Sequence, residues 1–156
     1  MIWVSTDVGH TYSFDTARRG WSKQKGWALS FIGRADCRGG HSPCVADYKL
    51  WFVFNDAGHV CTFDLAANYS SPPPPRDTWL EEVKTPKEWK QVTSYLVHLG
   101  SGRFCVARIF CDIKKDTEKY GVFTSVEVEK AGGGLRMVKH RSECYRMDDI
   151  LQQWVL

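Results

Sequence analysis

Two stretches, DVGHTYSFD over Asp7–Asp15 and DAGHVCTFD over Asp56–Asp64, carry Asp, Gly, His, Phe and Asp at the same relative positions, 49 residues apart. Each follows an extended apolar run, IWVST or WFVFN, and reads as strand, short loop and return strand. Gly9 and Gly58 supply the residue able to take positive φ that three-residue hairpin loops commonly need. Asp7 and Asp56 stand where a carboxylate can hydrogen-bond the backbone two residues on. In the return strands Tyr12 and Phe14 share one face, and Cys61 and Phe63 share the matching face of the second copy. The phrase therefore predicts one hairpin built twice.

The rest of the chain is written in the same manner. KLWFVF, SYLVHL, RFCVARIF, YGVFTSVEVE and LRMVKH are short β-rich runs bounded by Gly, Asp, Asn, Ser and Pro, and helical periodicity is nearly absent. Around RFCVARIFC, Phe104, Val106 and Phe110 fall on one face and Cys105, Ala107, Ile109 and Cys111 on the other, with Arg108 interrupting the first set. A strand apolar on both faces is sandwiched between layers. GSGRF and EKAGGGLR read as hairpin turns, and Pro86 in TPKEW suits the start of one short helical turn. The run YSSPPPPR, Tyr69–Arg76, is expected to be an extended polyproline connector, with docking to an SH3- or WW-type groove as the lesser reading.

Composition narrows the class. A chain of 156 residues with 43% hydrophobic and 13% aromatic residues is long enough for a real core. Its net charge of +3 is spread evenly, eight Lys/Arg against six Asp/Glu in residues 1–76, which argues against a nucleic-acid binder. MIWVSTDVGH lacks the pattern of a signal peptide, and no stretch approaches the roughly 18 apolar residues of a membrane helix. The six cysteines follow no compact disulfide spacing, so a reduced, intracellular protein, cytoplasmic or nuclear, is expected.

After the first phrase, Trp21 lies six residues beyond Asp15. Strand, hairpin, a strand ending in aromatic-Asp and then a step to Trp resembles the kelch repeat of β-propellers. The pair is Phe14 and Asp15 with Trp21 in the first copy, and Phe63 and Asp64 with Trp79 in the second. The period of 49 also matches the kelch spacing of about 50. Each copy has one Gly where a kelch repeat has two. GHTYSFDTARRGWSKQKGWALSFIGRAD, KLWFVF, LGSGRFCVARIF, VFTSVEVE, GLRMVKH and the terminal QQWVL resemble more closely a family of uncharacterised plant proteins, abundant in grasses, with kelch-like propeller repeats. That resemblance covers most of the chain, matches the C-terminal part of such proteins, and implies a fold without implying catalytic residues. CRGGHSPC departs from the family.

The expected fold is therefore all-β: a kelch-like β-propeller fragment of two to three antiparallel four-stranded blades, partial or open. Its single domain, 1–156, would divide into a partial blade over about 1–27, a blade over 28–89 containing the connector 69–76, and a last blade with closing strand over 91–156. Closed propellers need about four blades, so exposed blade faces would favour self-association.

Candidate chemistry is thin. His10 and His59, with Asp7 and Asp56 nearby, recur at the repeat period, as do Asp15 and Asp64; a turn needed by each blade explains them better than a site needed once. Cys37, His41 and Cys44 in CRGGHSPC are metal-ligand types, but they lack a fourth partner locally and fit no standard finger; a polar loop is the favoured reading. Lys139, His140, Arg141 and Arg146 could bind an anion, or more simply form a charged strand edge. No P-loop, dinucleotide fingerprint or nucleophile elbow occurs. No catalytic, cofactor-binding or metal residue is therefore assigned. The expected function is a non-catalytic protein–protein interaction module with an unknown protein partner, no cofactor, no nucleic acid and no membrane. The alternatives are part of a propeller enzyme whose axial site needs further blades, or a nonfunctional truncated gene product.

Overall fold

The computed structural model describes residues 2–6, 9–24, 28–29, 34–36, 50–65, 73–80, 83–115 and 118–147. Among these every regular element is a β-strand, and all strand pairs are antiparallel. The chain divides into two compact units, Met1–Leu80 and Glu81–Leu156.

The first unit holds two sheets. One contains β1 (Ile2–Ser5), β2 (Thr11–Asp15), β3 (Gly20–Lys23) and β4 (Arg34–Asp36), in the order β3-β2-β1-β4. The other contains β5 (Trp51–Phe54), β6 (Val60–Phe63) and β7 (Thr78–Trp79), in the order β5-β6-β7. The repeat survives in the register. Ile2 faces Phe14 and Val4 faces Tyr12, just as Trp51 faces Phe63 and Val53 faces Cys61. β4, which the sequence placed with residues 28–89, pairs with β1.

The core of this unit is built by stacking unlike faces. Trp3 lies on the opposite side of β1 from Ile2 and Val4. It joins Leu29, Trp51, Val53, Cys61, Phe63 and Leu65 in one buried cluster. Thr11 and Ser13 share the Trp3 side and are also buried. The Thr11 hydroxyl oxygen accepts the Leu29 N–H at 2.9 Å, which ties the chain beyond β3 to the inner face. β5 and β6 are buried on both faces, as a strand between two layers requires.

The second unit is one meander of long strands, β8 (Trp89–Gly100), β9 (Arg103–Asp112), β10 (Lys119–Ala131) and β11 (Gly134–Met147), in the order β11-β10-β9-β8. Two tight turns set its register. Ser101 and Gly102 join β8 to β9 with φ of 51° and 74°, and Gly132 and Gly133 join β10 to β11 with φ of 55° and 92°. Positive φ at both central residues matches the right-handed twist of the flanking strands. Phe104, Val106, Ile109, Val122, Val126 and Val128 are buried in this unit. The TPKEW segment forms no helix: the Trp89 N–H closes one turn on the Pro86 carbonyl at 3.1 Å before entering β8.

His98, on β8, is tilted against Phe104 with ring centroids 5.0 Å apart. Its Nε2 is buried with no hydrogen-bond partner among the described residues, and desolvation holds its pKa below the ordinary 6.5. Between the lowered folded value and 6.5 the unfolded chain binds a proton that the folded chain does not. Stability contributed by the neutral ring is thus present above pH 6.5 and falls as pH drops below it, until the folded-state value is passed. Denaturant titrations across this range should show His98→Phe flattening that slope; an unchanged slope would assign it to other groups.

Candidate functional site

The repeated phrase builds the same turn twice. In the first copy the Thr6 N–H donates to the His10 carbonyl at 2.8 Å and the Gly9 N–H to the Thr6 carbonyl at 3.0 Å. In the second, the Asn55 N–H donates to the His59 carbonyl at 2.9 Å and the Gly58 N–H to the Asn55 carbonyl at 2.8 Å. Gly9 and Gly58 have φ of 78° and 76°. A Cβ on Gly9 would meet no atom within 4 Å, so this glycine answers to backbone conformation and not to space. The side chain that braces each turn belongs to the residue before the aspartate. Thr6 Oγ1 accepts the His10 N–H at 3.1 Å, and Asn55 Oδ1 accepts the His59 N–H at 2.9 Å. Asp56 is exposed in its turn, and Asp7 lies outside the described residues.

Asp15 closes the step to β3. Its Oδ1 accepts the Ala17 N–H at 2.9 Å and the Arg18 N–H at 3.1 Å. These two backbone donors, the Arg18 one foremost, hold its carboxyl below the usual range. Asp64 is half-buried just past β6. His10 is exposed, its ring perpendicular to that of Tyr12 with centroids 6.5 Å apart, and His59 is half-buried. Trp21 sits opposite Phe14, their rings 5.0 Å apart. Trp79 takes a different rung, opposite Val60, and stacks on Phe52 at 6.0 Å. Cys37, His41 and Cys44 lie outside the described residues.

What the strands bring together is a surface. On the side of the first sheet away from Trp3, one row runs Ile2, Phe14, Trp21 and the next Val4, Tyr12, Lys23. Ile2, Val4, Tyr12 and Phe14 are half-buried, and Trp21 is 61% exposed. Lys23 Nζ stands 5.8 Å above the Tyr12 ring, a cation–π distance that leaves the charge at the rim. Their counterparts Trp51, Val53, Cys61 and Phe63 are all buried. Sequence alternation finds these residues, but the periodicity is the same in both sheets and does not say which face is left open.

The second unit carries a cleft of about 510 Å³ between the Val83–Pro86 segment and β10–β11, with Trp89 as one wall and Val122 at its floor. Lys84, Lys139, Ser142, Glu143 and Cys144 reach it. Glu143 is ion-paired with Arg141, and the Ser142 hydroxyl shares a 2.9 Å hydrogen bond with Thr124. Desolvation pushes the Cys144 thiol up, although the residue as a whole is exposed. Burial pushes the Cys61 thiol up to about 11. Thiols shifted upward stay protonated at neutral pH and are poor nucleophiles. Cys61, Cys105, Cys111 and Cys144 form no disulfides with one another. The run Lys139–Arg146 lies on β11, an edge strand of its sheet, where Arg136 pairs with Glu129 at 2.7 Å and His140 with Glu127 at 3.1 Å. Among the described residues, no group of three or more His, Cys, Asp or Glu is placed to hold a metal ion, and no helix is long and apolar enough to cross a membrane.

No curated protein and no solved structure matches this chain. A family model described as Protein of unknown function (DUF1668) matches residues 1–145. With nearly its whole length covered, the chain belongs to that family.

Proposed function

We propose that this protein is a non-catalytic protein-interaction module built on kelch-like, propeller-type repeats, and that it engages its partner through the outer face of the first sheet. One observation carries the reading: Ile2, Val4, Tyr12, Phe14 and Trp21 form a contiguous apolar and aromatic surface that remains partly open to solvent. Tyrosine and tryptophan in such clusters carry much of the binding energy of protein interfaces. Unlike-face stacking in the first unit and the duplicated turn support the repeat architecture. The upward-shifted thiols of Cys61 and Cys144 make those two side chains poor nucleophiles, which agrees with a binding role.

Benzoylphenylalanine in place of Trp21 in the full chain keeps a large aromatic at that position and tests the reading by photo-crosslinking in extracts of cells that express the protein. A discrete protein adduct is expected, competed by unmodified chain. Tyr12→Ala and Trp21→Ala should each weaken that competition by about tenfold or more. Competition by the variants equal to that of the unmodified chain, or no discrete adduct, would sink the proposal.

A further inference from the structure

The outer face of the first sheet has a template for its occupant inside the same molecule. A shift of 49 residues carries Ile2, Val4, Tyr12 and Phe14 onto Trp51, Val53, Cys61 and Phe63, with the pairing register unchanged. Those four counterparts are covered, and they share their buried cluster with Trp3 of the first sheet. The covering surface has a stated chemistry. A large aromatic, Trp3, sits on an inner strand, and the neighbouring strand shows the small hydroxyl residues Thr11 and Ser13, both buried. This contact joins two different faces, and contacts of that kind repeat head to tail when a further unit is supplied.

Resting on the interaction-module reading, we infer that the partner is a protein presenting a β-sheet of this same repeat. That sheet would seat an aromatic in the position of Trp3 against Tyr12, Phe14 and Trp21. A second copy of this chain offers no equivalent surface among the described residues. Its Trp3 face is already covered, and Phe52, the residue 49 positions beyond Trp3, is buried.

The chemistry can be supplied directly. A chain that carries residues 1–49 a second time ahead of Met1 places a further sheet one repeat period upstream of the first. With fluorinated tryptophan incorporated, and the resonance of the original Trp21 assigned through Trp21→Phe, its broadening by a soluble paramagnetic gadolinium chelate should fall several-fold in the extended chain. Exchange of the β2 and β3 amides should slow with it. Both effects should vanish when the added repeat alone carries Trp3→Asp. Unaltered broadening of the Trp21 resonance in the extended chain overturns the inference. So does concentration-dependent self-association of the unextended chain that protects Trp21, since two copies would then cover the face. The photo-adduct at position 21 is the independent measurement, immune to misfolding of the extension. Its partner peptide should come from a strand bearing an aromatic beside Ser or Thr, and a helical or unstructured peptide overturns the inference. In that last case the interaction-module reading stands; absence of any discrete adduct removes both.

Discussion

Phe63→Ala is expected to destabilise the first unit by about 3–5 kcal/mol, the usual loss for truncating a fully buried phenylalanine. Phe63 is 2% exposed, faces Trp51 across β5–β6, and belongs to the cluster that joins the two sheets through Trp3. Truncation removes apolar burial and leaves a void that neighbours on two sheets cannot fill together. Its repeat counterpart is the control. Phe14 has the same letter, the same place in the phrase and the same register, yet is half-buried. Phe14→Ala should cost about 1 kcal/mol, the share of transfer energy that partial burial provides. Urea denaturation of the two variants side by side checks both values. Equal losses would mean that the outer face of the first sheet is as well covered as that of the second.

Arg108→Glu should cost about 3–5 kcal/mol in the second unit, whereas Arg108→Met should stay within about 1 kcal/mol of the wild type or exceed it. Arg108 is 6% exposed on β9, with Val122 and Ser94 beside it in register and its Nη1 donating to Gln91 Oε1 at 3.2 Å. Reversing the charge buries a carboxylate and sets it against the Gln91 oxygen that now accepts from the guanidinium. A methionine keeps the aliphatic part of that packing and removes the desolvation cost of the charge. Gln91 lies at the exposed end of that contact, so losing the guanidinium leaves it to water. Denaturant melts followed by tryptophan fluorescence would separate the two variants. An Arg108→Glu protein as stable as Arg108→Met would contradict the buried placement.

The all-β class was legible because strand punctuation is local. Gly9 and Gly58 marked two turns, and the Gly100–Gly102 and Gly132–Gly133 stretches marked two more. The apolar two-faced pattern of β9 was legible too, with Arg108 as its exception. The braces of the repeated turns were not. Thr6 and Asn55 are different letters, so aligning the two phrases passes over them, although each offers an oxygen at the reach the following His N–H needs. Trp79 was aligned with Trp21 by motif, but its rung is fixed by pairing along β6. There the Arg76 N–H bonds the Thr62 carbonyl at 2.8 Å and Thr62 Oγ1 donates to Asp77 Oδ2 at 3.0 Å. Spacing along the chain could not show that offset. The open aromatic face was hidden for a similar reason. Alternation reports that a strand has an apolar side, and tertiary stacking decides whether that side meets another layer.

β2 reaches β3 through residues 16–19, whereas β6 reaches β7 through residues 64–77, yet both third strands hydrogen-bond the same side of their hairpin. Closing the longer connection costs about 1 kcal/mol more in chain entropy, and the two residues of β7, the Arg76 and Asp77 hydrogen bonds to Thr62 and the stack of Trp79 on Phe52 offset it. The two copies of one phrase therefore secure their third strands by different means: the first follows its hairpin within a few residues, while the second comes from farther along the chain and is pinned by the polar ties of Thr62.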